Sequence, residues 1–224
     1  MRGKLMLWGA AVALGSTAAL ANVVVVKSLG PSAKAYPPGK MLPETAKISL
    51  QGGDVVTVIG PASAKTLRGP GNFDAKQVAL ASAAGQRGRF GALSAAEVAR
   101  NPGIWDIDVN AGGKVCVTEA AKVQLWRPDS DAAATIEIRA ADGKSEQLSW
   151  AAGKALTPWP ASVPIKGGAS YQLEWPDTGE KSSVELVTVA NPPTDLVGAA
   201  QVLLENGCQK QLDLLVESAS KPAK

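Results

Sequence analysis

The sequence predicts a mostly β protein: a small antiparallel β module, then a β-sandwich, then an α-helical hairpin at the carboxyl end. Three observations predict it. Short apolar or alternating runs recur from residue 22 to residue 190, separated by Gly-, Pro- and Asp-containing turn signals. Past Pro192 the apolar period lengthens from two residues to about 3.6, the helical repeat. The chain is rich in Ala and Gly, and its bulky rings are mostly Trp, six against two Phe and two Tyr.

The amino end reads as a secretory signal peptide, residues 1 to 21. Arg2 and Lys4 supply positive charge, and Leu5 to Leu20 is uncharged and Ala/Leu-rich. Ala19-Leu20-Ala21 then gives the small-x-small pattern at which such peptides are cut. No charge returns before Lys27, so residues 5 to 26 form an uncharged run of 22. That is long enough for a membrane span of about 20 residues. Gly9, Gly15, Ser16 and Thr17 dilute the run, and Val23 to Val26 are β-branched and suit a strand. Cleavage between Ala21 and Asn22 is therefore expected over retention as an anchor, with no stable membrane insertion afterwards. The first Cys is Cys116, so no lipoprotein anchor is expected at the cut.

Residues 22 to 74 read as strands and turns. "NVVVVKSL" is a short apolar run followed by a Pro/Gly-rich connection. "AKISL" alternates, "GGD" turns the chain, "VVTVI" is the next strand, and "KTLRGPGNF" ends in a Gly-Pro-Gly break. Four short strands make a small sheet, thin for independent stability. The succession "PPGKML…AKISLQGGDVVTVIG…KTLRGPGNF" resembles the small β domain of FecR-type periplasmic proteins. The resemblance places Gly39, Leu42, Leu50, Gly53 and Asp54 at that family's turn and core positions. It implies an envelope-facing, non-enzymatic β module. Residues 75 to 103 read as a helical and flexible linker. "AKQVALASAA" suits a short helix, and Ser94 to Glu97 is a capping box for another, ended by Asn101-Pro102-Gly103. Arg87, Arg89 and Arg100 are spread too thinly for a phosphate site and read as solvated linker.

Residues 104 to 190 read as the sandwich. Its strand candidates are "IWDIDV", "KVCVTE", "KVQLWRP", "TIEIRA", "SEQLSW", "YQLEWP" and "SSVELVTVA". Their number and spacing resemble an Ig-like or fibronectin-like domain. Asp142-Gly143 in "AADGK" marks a hairpin turn, because the glycine supplies positive φ. Ile136 and Ile138 share one face of "TIEIRA", opposite Thr135, Glu137 and Arg139, so one face is buried and the other wet. Residues 191 to 220 read as the helical hairpin, packed on the sandwich. "TDLVGAAQVLLENG" opens with a Thr/Asp cap and stops at Asn206-Gly207. Cys208, Leu212, Leu215, Val216 and Ala219 make one apolar stripe of the second helix. In an exported chain Cys116 and Cys208 are expected to form a disulfide. Closing so long a loop contributes roughly 4–5 kcal/mol in the chain-entropy model.

Function is read largely by exclusion. The chain has no His, which removes Ser-His-Asp and Cys-His catalysis and His-based metal sites. No Walker, Rossmann or nucleophile-elbow pattern occurs, and no cofactor is expected. With 23 Lys+Arg against 20 Asp+Glu, and Arg2 and Lys4 lost with the leader, no nucleic-acid footprint is expected. Asp106 and Asp108 are read as sharing a wet strand face, and Asp129 and Asp131 as flanking a turn. Glycoside hydrolysis needs carboxyl groups opposed across a cleft, about 5–9 Å apart. Trp105, Trp126, Trp150 and Trp175 read first as core. Trp159, in the Pro-flanked "LTPWPASVP" loop, is the candidate binding surface, an exposed ring of the kind that stacks on sugars. The sequence thus predicts a periplasmic or secreted, non-enzymatic envelope binding or adaptor protein acting through protein or glycan contacts. A His-free hydrolase using Asp or Glu, and a structural subunit of an envelope assembly, are the alternatives.

Overall fold

The computed structural model describes residues 22–79 and 102–220. Four consecutive valines open the fold, in strand β1 (Asn22–Leu29). This strand pairs with β2 (Met41–Pro43) on one side and β4 (Val55–Ile59) on the other, and β5 (Ala64–Arg68) follows β4, all antiparallel. Val23 to Val26 are each at most 4 % exposed. The run lacks alternation because the sheet is covered on both faces. Val23 and Val25 pack with Ile48, Val56 and Val58, whereas Val24 and Val26 pack with Ile59 on the opposite side. A β-bulge between Val25 and Lys27 ends the doubly buried stretch and returns the strand to the surface.

Six strands, rather than the expected four, occupy residues 22 to 74. "MLP" adds β2 at the sheet edge, and β3 (Lys47–Leu50) leaves the main sheet to pair with β6 (Gly71–Asp74). "KTLRGPGNF" is therefore two strands broken at Gly69-Pro70. Ile48 and Leu50 of β3, with helix α1 (Ala75–Ala79), close over the Val23/Val25 face. Asp54, 1 % exposed, ties the turns together by accepting the Ser32 N–H at 2.8 Å and the Gln51 N–H at 2.6 Å. Burial pushes its carboxyl up, but the hydrogen bonds from Ser32 and Gln51 outweigh that and hold it below the ordinary value. Gly30 has to be glycine here: its φ is 102°, and a Cβ would lie 2.5 Å from Asp54 Oδ1. The remainder of the expected linker helix, the capping box at Ser94, and Arg87, Arg89 and Arg100 lie outside the described residues.

The second module has two sheets. Strands β8 (Gly113–Val117), β10 (Ala134–Ala140), β11 (Ser145–Trp150), β13 (Ala169–Glu174) and β14 (Lys181–Thr188) form the larger, in the order β11-β10-β13-β14-β8. Strands β7 (Ile107–Asp108), β9 (Gln124–Trp126) and β12 (Leu156–Pro158) form the smaller, in the order β12-β9-β7. Ile107 and Leu125 from one meet Ile136, Ile138, Leu173 and Leu186 from the other in a single core. Two pairings are parallel, β8 with β14 and β7 with β9. "IWDIDV" contributes only two strand residues, because the Asp106 N–H bonds to Gly103 O at 3.0 Å and bends the chain into a turn.

The hairpin consists of α2 (Leu196–Glu205) and α3 (Gln209–Ser220). Asp195 caps α2 by accepting the Gly198 N–H at 2.8 Å, and Gly207, at φ 72°, lets the chain reverse. The apolar stripe of α3 is buried as its spacing predicts, at Cys208, Leu212, Leu215 and Ala219. The stripe meets more than the sandwich on which the hairpin is expected to pack. Val24, Val26, Ile59 and Ala64 of the first sheet and Cys116 and Val189 of the sandwich share one cluster with it. The reason is β1: a strand apolar on both faces leaves a second face to cover, while the sandwich fills its own interior. The hairpin is thus wedged between the modules. The Cys116–Cys208 disulfide, Cα–Cα 5.8 Å, fastens it to β8. Among the described residues, no helix is long and apolar enough to cross a membrane.

Candidate binding cleft

Trp159 is not exposed. It is 8 % accessible, its backbone N–H bonds to Val123 O at 3.0 Å, and its indole N–H donates to Val163 O at 2.6 Å. The ring meets Tyr171 edge-on at 5.1 Å. Pro158 does sit on an edge strand, β12, as a missing N–H requires. An edge backbone can still turn its next side chain inward, and this one does. Trp126 and Trp150 are also buried, while Trp105 and Trp175 are half-buried. Trp175 stacks on Trp150 at 5.9 Å, and Arg127 covers Trp150 at 5.5 Å. Arg127 is 3 % exposed and donates to the carbonyls of Lys154, Ala132 and Ala151. Its burial lowers its pKa, against the charge of Asp129. Nothing in "LWRPDS" distinguishes this core guanidinium from a surface one.

The candidate site lies instead at a seam of the sandwich. Strand β7 is the edge of the small sheet and β8 the edge of the large one. Between them, with α3 as the third wall, is a cleft of about 230 Å³ lined by Asp106, Asp108, Lys114, Trp126, Lys210 and Gln211, among others. Asp106 and Asp108 therefore do not lie on a wet strand face. Asp106 belongs to the turn before β7 and accepts the Gly103 N–H at 2.7 Å; Asp108 accepts the Asn110 N–H at 3.0 Å. Burial raises the pKa of both. The Gly103 N–H opposes it at Asp106; the Asn110 N–H, the charge of Lys210 and the Ala111 N–H oppose it at Asp108. Asp129 and Asp131 form a local turn, the Asp131 N–H reaching the Asp129 carboxylate at 3.1 Å.

Gln211, which the sequence reading passed over, holds the cleft's third wall. It is 7 % exposed. Its Oε1 accepts the Cys116 N–H at 2.6 Å, and its Nε2 donates to Cys116 O at 2.8 Å and Ile104 O at 2.7 Å. The side-chain amide thus stands where the peptide group of a further strand would stand beside β8. The position falls between apolar members of the α3 stripe, and a polar residue there was the available signal. The two cleft carboxylates stand two residues apart on one wall. Among the described residues no group of three or more His, Cys, Asp or Glu side chains is placed to hold a metal ion. Comparison with protein-family models, with curated proteins and with solved structures returns no match for this chain.

Proposed function

We propose that this chain is an exported, non-enzymatic binding or adaptor protein of the cell envelope, acting through protein or glycan contacts. The cleft carries the reading. It offers two carboxylates, an aromatic wall and two strand edges, in about 230 Å³. Small-molecule and cofactor pockets run to about 300–1,000 Å³, so a space of this size suits a side chain or one sugar substituent. Two features support export. The disulfide fits an oxidising compartment, and β1 draws Val23 to Val26 out of the apolar run that an anchor would need.

Fractionation with photo-cross-linking tests the reading. The protein should be found in the envelope fraction, and a cross-linker at Ala111, on the cleft wall, should trap one defined partner. A cross-linker at Lys65 on β5 should not. The hydrolase reading has one observation in its favour, the raised carboxyl groups in a shared recess. Substrate turnover that Asp106→Asn and Asp108→Asn abolish would replace the binding reading with it.

A further inference from the structure

We propose that the cleft docks an extended segment of a partner protein, added as a strand to the free edge of β8, with a lysine or arginine side chain seated against Asp106 and Asp108. This rests on the binding reading above and names the partner's chemistry.

The edge comes first. β8 pairs with β14 on one side only. Because Cys116 directs both its N–H and its C=O at Gln211, the period of two directs those of Lys114 the same way. Among the described residues no turn, loop or side-chain hydrogen bond involves the Lys114 peptide groups. Gln211 therefore occupies one position of a row whose next position, at Lys114, opens on the cleft. A peptide strand continuing that row exchanges main-chain hydrogen bonds there, the mode of strand addition. Its alternate side chains lie level with Val115, which lines the cleft.

Charge selects the occupant. Neither Asp106 nor Asp108 has a Lys or Arg nitrogen within ion-pair distance among the described residues. The Lys114 ammonium, also on the cleft wall, pairs with Glu185 on β14 at 3.5 Å. Lys210 acts on Asp108 through its field, without direct contact. With the Lys114 charge matched by Glu185, two carboxylates against Lys210 leave a net negative charge at the recess, which a cationic side chain complements. The walls are preformed, since the disulfide and Gln211 fix α3 against β8, so little ordering is needed on binding.

The test uses the full-length mature protein and two acetylated, amidated hexapeptides of alternating Thr and Val, one with a central lysine and one with norleucine in its place. Backbone amide shifts and titration calorimetry are read. The lysine peptide is expected to bind at least tenfold more tightly, to shift the Lys114 amide, and to lose its advantage in the Asp106→Asn/Asp108→Asn protein. Asparagine keeps an acceptor for the Gly103 and Asn110 N–H groups, and an unchanged melting curve confirms that the variant is folded. Equal affinity for the two peptides, an advantage that survives in the double variant, an unmoved Lys114 amide, or no binding of either peptide overturns the proposal. Butylammonium binding as tightly as the lysine peptide shows a free-amine pocket and overturns the strand component. Should the peptides fail while the Ala111 cross-linker still traps a partner, the binding reading stands and this inference falls.

Discussion

Trp159 and Asp54 show how much depends on where single side chains point. Trp159 packs on Tyr171 and spends its indole N–H on Val163 O. Trp159→Ala is therefore expected to cost about 3–5 kcal/mol in chemical denaturation, the range for a core ring. A loss under about half a kcal/mol would return the ring to the surface. The carboxylates sort by the sign of their pKa shift. Asp54 lies below its unfolded value of about 3.9. Its contribution is therefore complete above that pH and is lost as the pH falls below it. Asp106 and Asp108 lie above the same value. Only between that value and their folded ones do they hold protons that the unfolded chain has released, so their contribution is lost as the pH rises through the folded values. Denaturation from acid to neutral pH checks both signs. The deficit of Asp54→Asn relative to wild type should shrink in acid, and Asp106→Asn/Asp108→Asn should gain on wild type as the pH rises.

Elements were legible where one face governs a segment. The alternation of "TIEIRA" and the stripe from Cys208 to Ala219 both map onto buried faces. "NVVVV" read correctly as a strand, but its two-sided burial, and hence the hairpin's place on the first module, depended on a partner far along the chain. Strand β12 was hidden because prolines at its end and beyond read as loop, whereas an edge strand tolerates them. The parallel pairings leave no local trace. The cleft was half legible: Asp106 and Asp108 were singled out as a pair, but the turn at Gly103 that rotates them into the seam was not visible. Gln211 was missed because its three bonds reach Cys116 and Ile104, about a hundred positions away in the chain. Gln211→Leu leaves the Cys116 N–H and two carbonyls unpaired against a buried wall. At ~1–3 kcal/mol per stranded group, the variant should lose more stability than any exposed substitution on α3. A loss below about 1 kcal/mol would show that the amide does not fasten the hairpin.

The molecule as a whole is two β modules joined through one wedge. The first sheet needs the hairpin to cover Val24 and Val26, and the hairpin needs β8 to hold it, so the Cys116–Cys208 bond spans both dependences. Reduction is expected to cost up to roughly 4–5 kcal/mol, with both modules loosening together. Disulfide formation and folding are thereby linked, and the proposed export would supply the oxidising compartment that the bond needs. Intact mass of the protein isolated from its own cell, unfolded and alkylated with and without prior reduction, tests this most directly. The account predicts a chain beginning at Asn22 that takes no alkyl group until it is reduced and two afterwards. A chain that keeps residues 1 to 21 and is alkylated at both cysteines without reduction would contradict it.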